Sequence, residues 1–241
     1  MAFRHTGVIG SGRGTRPGKV EVFDGMYGIT VGDHIGSAKV LLDGGIRNVQ
    51  YRPKGYKDRK AMLKEAIIIR ELCHAAGAQM TVDDDIELAI SSGARGIWLG
   101  QKDMPLAVAM RMYGKELSVM TVGISVTTRE EAMRAMEGGA DALGVGPINE
   151  SGTKTDENAV GIGPLIQVVK AAREFEKAKG RRIKVVAIGG LGMEDIERIV
   201  AAGADCMASI GAIFSNADSE SAVKRARALA TRWDTVSAVR K

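Results

Sequence analysis

The sequence predicts a (β/α)8 TIM barrel: one α/β domain with closed parallel strands, preceded by a basic, glycine-rich N-terminal extension. Three observations carry this expectation. From Met26 onward, short apolar runs alternate with longer amphipathic runs through eight rounds. Four helix-to-strand junctions look alike: Gly44-Gly45-Ile46, Gly93-Ala94-Arg95, Gly139-Ala140-Asp141 and Gly203-Ala204-Asp205. A glycine there suits a left-handed helix C-cap before a tight return into a strand. The links between elements are short, apart from one long loop over 146–163. A doubly wound open sheet fits the alternation too, but eight regular rounds favour closure.

Residues 1–25 form an N-terminal arm, rich in glycine and basic side chains and without amphipathic period. It reads as a flexible arm or as a flap over an anionic ligand. The barrel domain spans 26–241. Its first strand is 27–31, followed by a helix over 35–42. The second strand is 46–52, and a long helix over 58–76 ends at Gly77. The third strand is 78–82, and Asp85 starts a helix to residue 91. The fourth strand is 96–99. Pro105 suits a first helical turn and opens a helix to about Tyr113. The fifth strand is 118–124. Thr128, with Glu131 three residues on, reads as a capping box. The sixth strand is 142–145, and the helix after the long loop covers 164–179. The seventh strand is 183–188, with a helix over 193–202. The eighth is 206–210, and the last helix is 219–233.

Bulk properties narrow the function. A chain of 241 residues with 45% hydrophobic content can bury a substantial core. The net charge of +5 suits anionic ligands such as phosphates, but with only 4% aromatics it is too mild to argue for nucleic acid. No apolar run approaches the roughly 18 residues that would span a membrane, and the N-terminus lacks a signal-peptide apolar region. Cys73 and Cys206 lie far apart and read as small buried hydrophobes. We expect a cytoplasmic protein whose partners are small phosphorylated molecules, not nucleic acid or membrane; a homo-oligomer stays open.

In such a barrel, chemistry sits on the loops that follow the strands. The second strand ends Gln50-Tyr51-Arg52-Pro53-Lys54. Alternation puts Gln50 and Arg52 on one face, with Lys54 just beyond. A guanidinium and an ammonium at the mouth suit a phosphate or diphosphate. The third strand runs into Asp83-Asp84-Asp85, where adjacent carboxylates need solvent, protonation or a cation. Read alone, the triplet is either a helix start or a metal site. Asp103 ends the neighbouring strand-four loop, so Asp83, Asp84 and Asp103 lie at neighbouring strand ends, and carboxylates there, opposite Arg52 and Lys54, make a plausible Mg²⁺ site. The glycines after strands seven and eight, Gly189-Gly190 and Gly211, let backbone N–H groups approach an anion. Two phosphate-handling regions therefore face one mouth, a layout that suits joining a diphosphate donor to a phosphorylated acceptor. His34, just after the first strand, could face the mouth, but a surface role at a helix start is the favoured reading.

With these residues assembled, the chain resembles the thiamine-phosphate synthase (thiamine-phosphate pyrophosphorylase) and thiazole tautomerase family. The resemblance rests on Tyr27-Gly28-Ile29-Thr30, Val49-Gln50-Tyr51-Arg52-Pro53-Lys54-Gly55, Val82-Asp83-Asp84-Asp85-Ile86-Glu87-Leu88-Ala89, Leu99-Gly100-Gln101-Lys102-Asp103-Met104-Pro105, Gly144-Val145-Gly146-Pro147-Ile148 and Val186-Ala187-Ile188-Gly189-Gly190. It implies a Mg²⁺-dependent transferase that couples hydroxymethylpyrimidine diphosphate to hydroxyethylthiazole phosphate and releases diphosphate. Under it, Gln50, Arg52 and Lys54 hold the donor, and Asp84 and Asp103 hold the metal. Ser125, Thr153 and Lys154 lie near the diphosphate and reacting groups, and Gly190 with the backbone at Ile210 and Gly211 receives the acceptor phosphate. The resemblance marks Arg52, Lys54, Ser125 and Lys154 as the catalytic set. There are departures from the family pattern. Asp83 stands for a usual Asn beside the diphosphate. Glu150-Ser151 stands for Pro-Thr, with Ser151 able to replace the threonine hydroxyl on the acceptor phosphate. Gly211 stands for Ser, and Trp98 and Thr127 each stand for a common His. Alternatives are a transferase of the same donor with another acceptor, a tautomerase-like isomerase, and a non-catalytic phosphate-ligand binder.

Overall fold

The computed structural model describes residues 23–56, 58–150 and 158–239. Eight parallel strands close on themselves in sequence order: β1 (Gly25–Ile29), β2 (Asn48–Tyr51), β3 (Gln79–Asp83), β4 (Gly96–Leu99), β5 (Thr121–Val126), β6 (Ala142–Val145), β7 (Lys184–Ala187) and β8 (Cys206–Ser209). Closure comes from β8 pairing back to β1, Gly25 opposite Cys206 through Gly28 opposite Ser209. The helices are α1 (His34–Asp43), α2 (Arg59–Ala75), α3 (Ile86–Ser92), α4 (Leu106–Leu117), α5 (Arg129–Glu137), α6 (Ile162–Lys179), α7 (Ile196–Ala201), α8 (Gly211–Phe214) and α9 (Ser219–Ala238). A 3-10 turn, Met193–Asp195, leads into α7.

Local chemistry explains the boundaries. Gly45, Gly93, Gly139 and Gly203 all take positive φ, so the shared junction glycines make the left-handed returns expected of them. The aspartates that end two of these junctions each fasten the start of a neighbouring strand. Asp141 accepts from the Val122 N–H at 3.0 Å, and Asp205 from the Val185 N–H at 2.8 Å. Asp58, Asp85 and Asp218 cap α2, α3 and α9 through their side chains, and Thr128 with Glu131 forms the capping box of α5.

Several elements differ from those expected. β1 starts two residues early, and Phe23, counted with the arm, is fully buried. β5 begins only at Thr121, because α4 continues to Leu117. The short α8 carried no strong periodic signal, being four residues long.

Strand alternation makes two cores. Outward residues such as Val49, Met80, Val82, Ile97, Leu143 and Val185 pack under the helices. Inward residues fill the barrel: Tyr27, Ile29, Trp98, Ala142, Val186, Cys206 and Ala208, with Phe23 entering from the N-terminal end. Phe23 meets Tyr27 and Trp98 edge-on, both at 5.1 Å between centroids. Such pairs contribute about 0.5–1.5 kcal/mol each beyond burial. Cys73 and Cys206 are buried, and burial pushes the Cys73 thiol up to about 12. No helix among the described residues is long and apolar enough to cross a membrane.

Candidate active site

The ends of β2, β3 and β4 bring the charged residues together. Arg52 follows β2, its N–H 3.3 Å from the Thr30 hydroxyl. The Lys54 N–H turns back onto the Arg52 carbonyl at 3.0 Å, so Pro53 sits in a tight turn that aims both cations at β3. Asp83 closes β3, and its Oδ2 lies 3.2 Å from Arg52 Nε and 3.6 Å from Lys54 Nζ. Lys54 Nζ also pairs with Asp84. Burial and the Asp84 charge push Asp83 up to about 6, against the pull of Lys54 and Arg52. Burial works against the charge on Lys54, but its bond to Asp84 and the charge of Asp83 hold it above the ordinary lysine range.

Asp84 is the strained residue of the triplet. Its φ is +64°, and the Asp85 N–H closes the turn on the Asp83 carbonyl at 2.8 Å. A non-glycine residue in this region is uncommon, and aspartate is among the few that tolerate it. The Asp84 N–H donates to the Trp98 carbonyl at 2.8 Å, which pins the turn to β4. Asp103 is folded back by accepting the Gly100 N–H at 2.7 Å. Burial and its shared hydrogen bond with Asp84 raise its pKa. Two carboxylates this close offer hard oxygen donors of the kind a divalent cation takes alongside water and phosphate oxygens. No cluster of three His, Cys, Asp or Glu side chains suited to a metal occurs among the described residues; Asp83 is turned toward Arg52. Asp85 serves the fold alone. It caps α3 through Leu88 N–H and pairs with Arg59.

Below the charges lies a polar floor. Gln50 is buried beside the Tyr27 hydroxyl, which also bonds Thr81. Ser125 stands half-buried near the end of β5, and its Oγ accepts the Trp98 indole N–H at 3.0 Å. The Gln101 amide donates to the Ser125 carbonyl.

Across the barrel, the β6 and β7 ends are knitted together. The Ile148 N–H donates to the Ile188 carbonyl at 2.9 Å, and the Asn149 N–H to Gly189 at 3.0 Å. Gly189 and Gly190 both have positive φ, and a Cβ on either would overlap the β6 loop. Asn149 also donates to the Gly190 carbonyl and is held by Arg198 and Asp195. At the end of β8, Ile210 leads into α8. The first intrahelical bonds come from the N–H groups of Ile213 and Phe214 to the Ile210 carbonyl, so those of Gly211 and Ala212 precede the ladder at the mouth. These are donors of the kind that receive a phosphate.

Arg52, Lys54, Asp83, Asp84 and Asp103 are thus gathered at neighbouring strand ends, with Gln50 and Ser125 lining the same mouth. Gly190, Ile210 and Gly211 belong to the opposite side. Ser151, Thr153, Lys154 and residues 1–22 of the arm lie outside the described residues.

His34 corrects a sequence expectation. It is buried, its Nδ1 lies 2.8 Å from the Thr30 hydroxyl, and it packs edge-on against Tyr51. The chain turns in tightly after β1, which the helix-start pattern alone did not reveal. Beside it is a cluster that the sequence pattern did not reveal either: Glu65 accepts from the Tyr51 hydroxyl at 2.5 Å and from Tyr56 at 2.7 Å. It anchors the segment that carries Arg52 and Lys54. Glu65 is one helical glutamate among several, and no local signal marks it.

Fold and site together define a (β/α)8-barrel enzyme of the kind that handles phosphorylated small molecules. The model of the thiamine monophosphate synthase family matches residues 27–213. The chain is 38% identical to the thiamine-phosphate synthase of Caldivirga maquilingensis over 215 residues, covering 87% of this chain and 97% of that one. It is 36% identical to the thiamine-phosphate synthase of Methanosarcina barkeri, covering 79% and 81% respectively. A solved structure, the thiamine phosphate pyrophosphorylase from Pyrococcus furiosus, superposes with a TM-score of 0.75 at 28% identity, over 88% of this chain and 96% of that one. The chain belongs to the thiamine monophosphate synthase family.

Proposed function

We propose that this chain transfers the hydroxymethylpyrimidine group from its diphosphate to the ring nitrogen of hydroxyethylthiazole phosphate, forming thiamine phosphate and releasing diphosphate. The observation that carries this reading is the gathering of Arg52, Lys54, Asp84 and Asp103 at the ends of β2, β3 and β4, across the barrel from the glycine-rich ends of β7 and β8.

Asp84 and Asp103 would hold Mg²⁺, which would supply charge neutralisation for a departing diphosphate. Arg52 and Lys54 bind the same diphosphate as fixed cations whose attraction grows as its charge develops. On arrival of the donor, both exchange Asp83 for phosphate oxygens. Gln50 and Ser125 orient the pyrimidine so that its methylene, which carries positive charge as the bond to diphosphate breaks, faces the acceptor. Gly190 and the N–H groups of Gly211 and Ala212 fix the acceptor phosphate, which places the thiazole nitrogen in line with that carbon. Lys154 and Thr153 are assigned to the diphosphate, and Ser151 to the acceptor phosphate.

The residue after β5 argues against an isomerase. Thr127 has no titratable group, and its N–H is taken up by Glu131 at 2.7 Å. The test is product analysis by mass spectrometry with each component omitted in turn. Thiamine phosphate should form only when donor, acceptor and Mg²⁺ are all present. Product without Mg²⁺ would remove the metal from the reading, and turnover only with another nucleophile would change the acceptor.

A further inference from the structure

Trp98 lies across the barrel interior in a way that two strands make room for. A Cβ at Gly123 on β5 or at Gly144 on β6 would overlap its ring. The indole therefore rests on bare backbone of both strands, and Phe23 and Tyr27 close on it from below. Only 7% of Trp98 is exposed, so its position is set by packing on every side. One polar atom of this large side chain reaches the site, the indole Nε1–H, which donates to Ser125 Oγ at 3.0 Å.

That bond has a directional consequence. A serine hydroxyl has one proton and two acceptor lone pairs, whereas an indole can only donate. With Trp98 occupying a lone pair, the proton of Ser125 is left to point elsewhere. Among the described residues no other hydrogen bond engages this hydroxyl, and the Ser125 backbone is held in the β5–β6 ladder opposite Gly144, with its carbonyl accepting from the Gln101 amide. Ser125 is thereby presented to the mouth as a hydrogen-bond donor.

We propose that Trp98 is a positioning residue: its indole N–H holds the Ser125 oxygen so that the hydroxyl donates to the bound pyrimidine diphosphate. The inference rests on the proposed reaction only in taking that molecule as the ligand. Trp98→Phe keeps the aromatic filling and removes the N–H, so it isolates the hydrogen bond from the packing.

The test is a double-mutant cycle on kcat and KM with Trp98→Phe, Ser125→Ala and the pair. Trp98→Phe should lower kcat about tenfold or more, as expected when a group aligned in the transition state loses its orientation. In the Ser125→Ala background it should change kcat by no more than about twofold. An equal loss in both backgrounds, or no loss in either, overturns the proposal. A readout independent of turnover is the indole N–H resonance in a proton–nitrogen spectrum, assigned with Trp233→Phe since the chain has two tryptophans. Ser125→Ala should shift the Trp98 resonance and leave that of Trp233 in place. An unmoved Trp98 resonance overturns the proposal, whereas a shift in a protein that does not couple the two substrates would sink the proposed reaction and leave the hydrogen bond standing.

Discussion

The Arg52 guanidinium lies 3.2 Å from the Asp83 carboxylate, at the position where the resemblance leads one to expect a neutral asparagine. The cation assigned to the donor's diphosphate thus already holds an anion supplied by the chain. Asp83 acts as an internal counter-ion for Arg52 and, at 3.6 Å, for Lys54.

This arrangement has a pH signature in metal-free protein. Asp83 is raised to about 6 from 3.8, chiefly by burial. A carboxyl raised on folding favours the folded state fully below its unfolded pKa, and that contribution is lost as pH rises through the folded value. Asp83→Asn has no such titration. Under chelator, the variant should gain on the wild type between about pH 4 and 6, then stay ahead by about 1–3 kcal/mol at neutral pH. Urea unfolding at stepped pH measures it. The same variant should bind the pyrimidine diphosphate as well as the wild type or more tightly, because Arg52 and Lys54 need not leave a carboxylate. Weaker binding by calorimetry would mean that Asp83 itself serves the ligand.

Gly144→Ala places a methyl where the Trp98 ring lies. Relief requires moving an indole packed by Phe23 and Tyr27, and overpacking of this kind costs about 1–3 kcal/mol. We expect a lower midpoint in urea together with a change in indole fluorescence. Unchanged stability would show that the ring has room to slide.

Glu65→Ala removes the acceptor of both Tyr51 and Tyr56. Tyr51 is fully buried, and leaving a buried hydroxyl poorly partnered costs about 1–3 kcal/mol. The segment that carries Arg52 and Lys54 loses its anchor as well, so KM for the diphosphate donor should rise several-fold. A stability loss with KM unchanged would limit Glu65 to packing.

Much of the architecture could be read from the chain, for physical reasons particular residues make clear. The repeated glycine junctions are left-handed at Gly45, Gly93, Gly139 and Gly203, and that conformation ties residue type to geometry. Asp85 and Thr128 cap their helices because capping is local chemistry. Alternation along β2 sends Gln50 inward, where it is buried beside the Tyr27 hydroxyl. What could not be read depends on contacts between distant elements. His34 is buried by Tyr51 from another strand, and Glu65 reaches back from α2. Trp98 stood out only as a departure from the family pattern; its bed of Gly123 and Gly144 exists only once β4, β5 and β6 are side by side. α8 is too short to show a period.

In the proposed reaction the acidic pair at β3 and β4 serves a diphosphate-releasing coupling. The most direct measurement is diphosphate release by wild type and Asp84→Ala, with both substrates and saturating Mg²⁺. The wild type should release one diphosphate per thiamine phosphate formed, and Asp84→Ala should lose at least about a hundredfold in kcat, the scale of removing a principal charge-stabilising group. Undiminished release by Asp84→Ala would contradict the account.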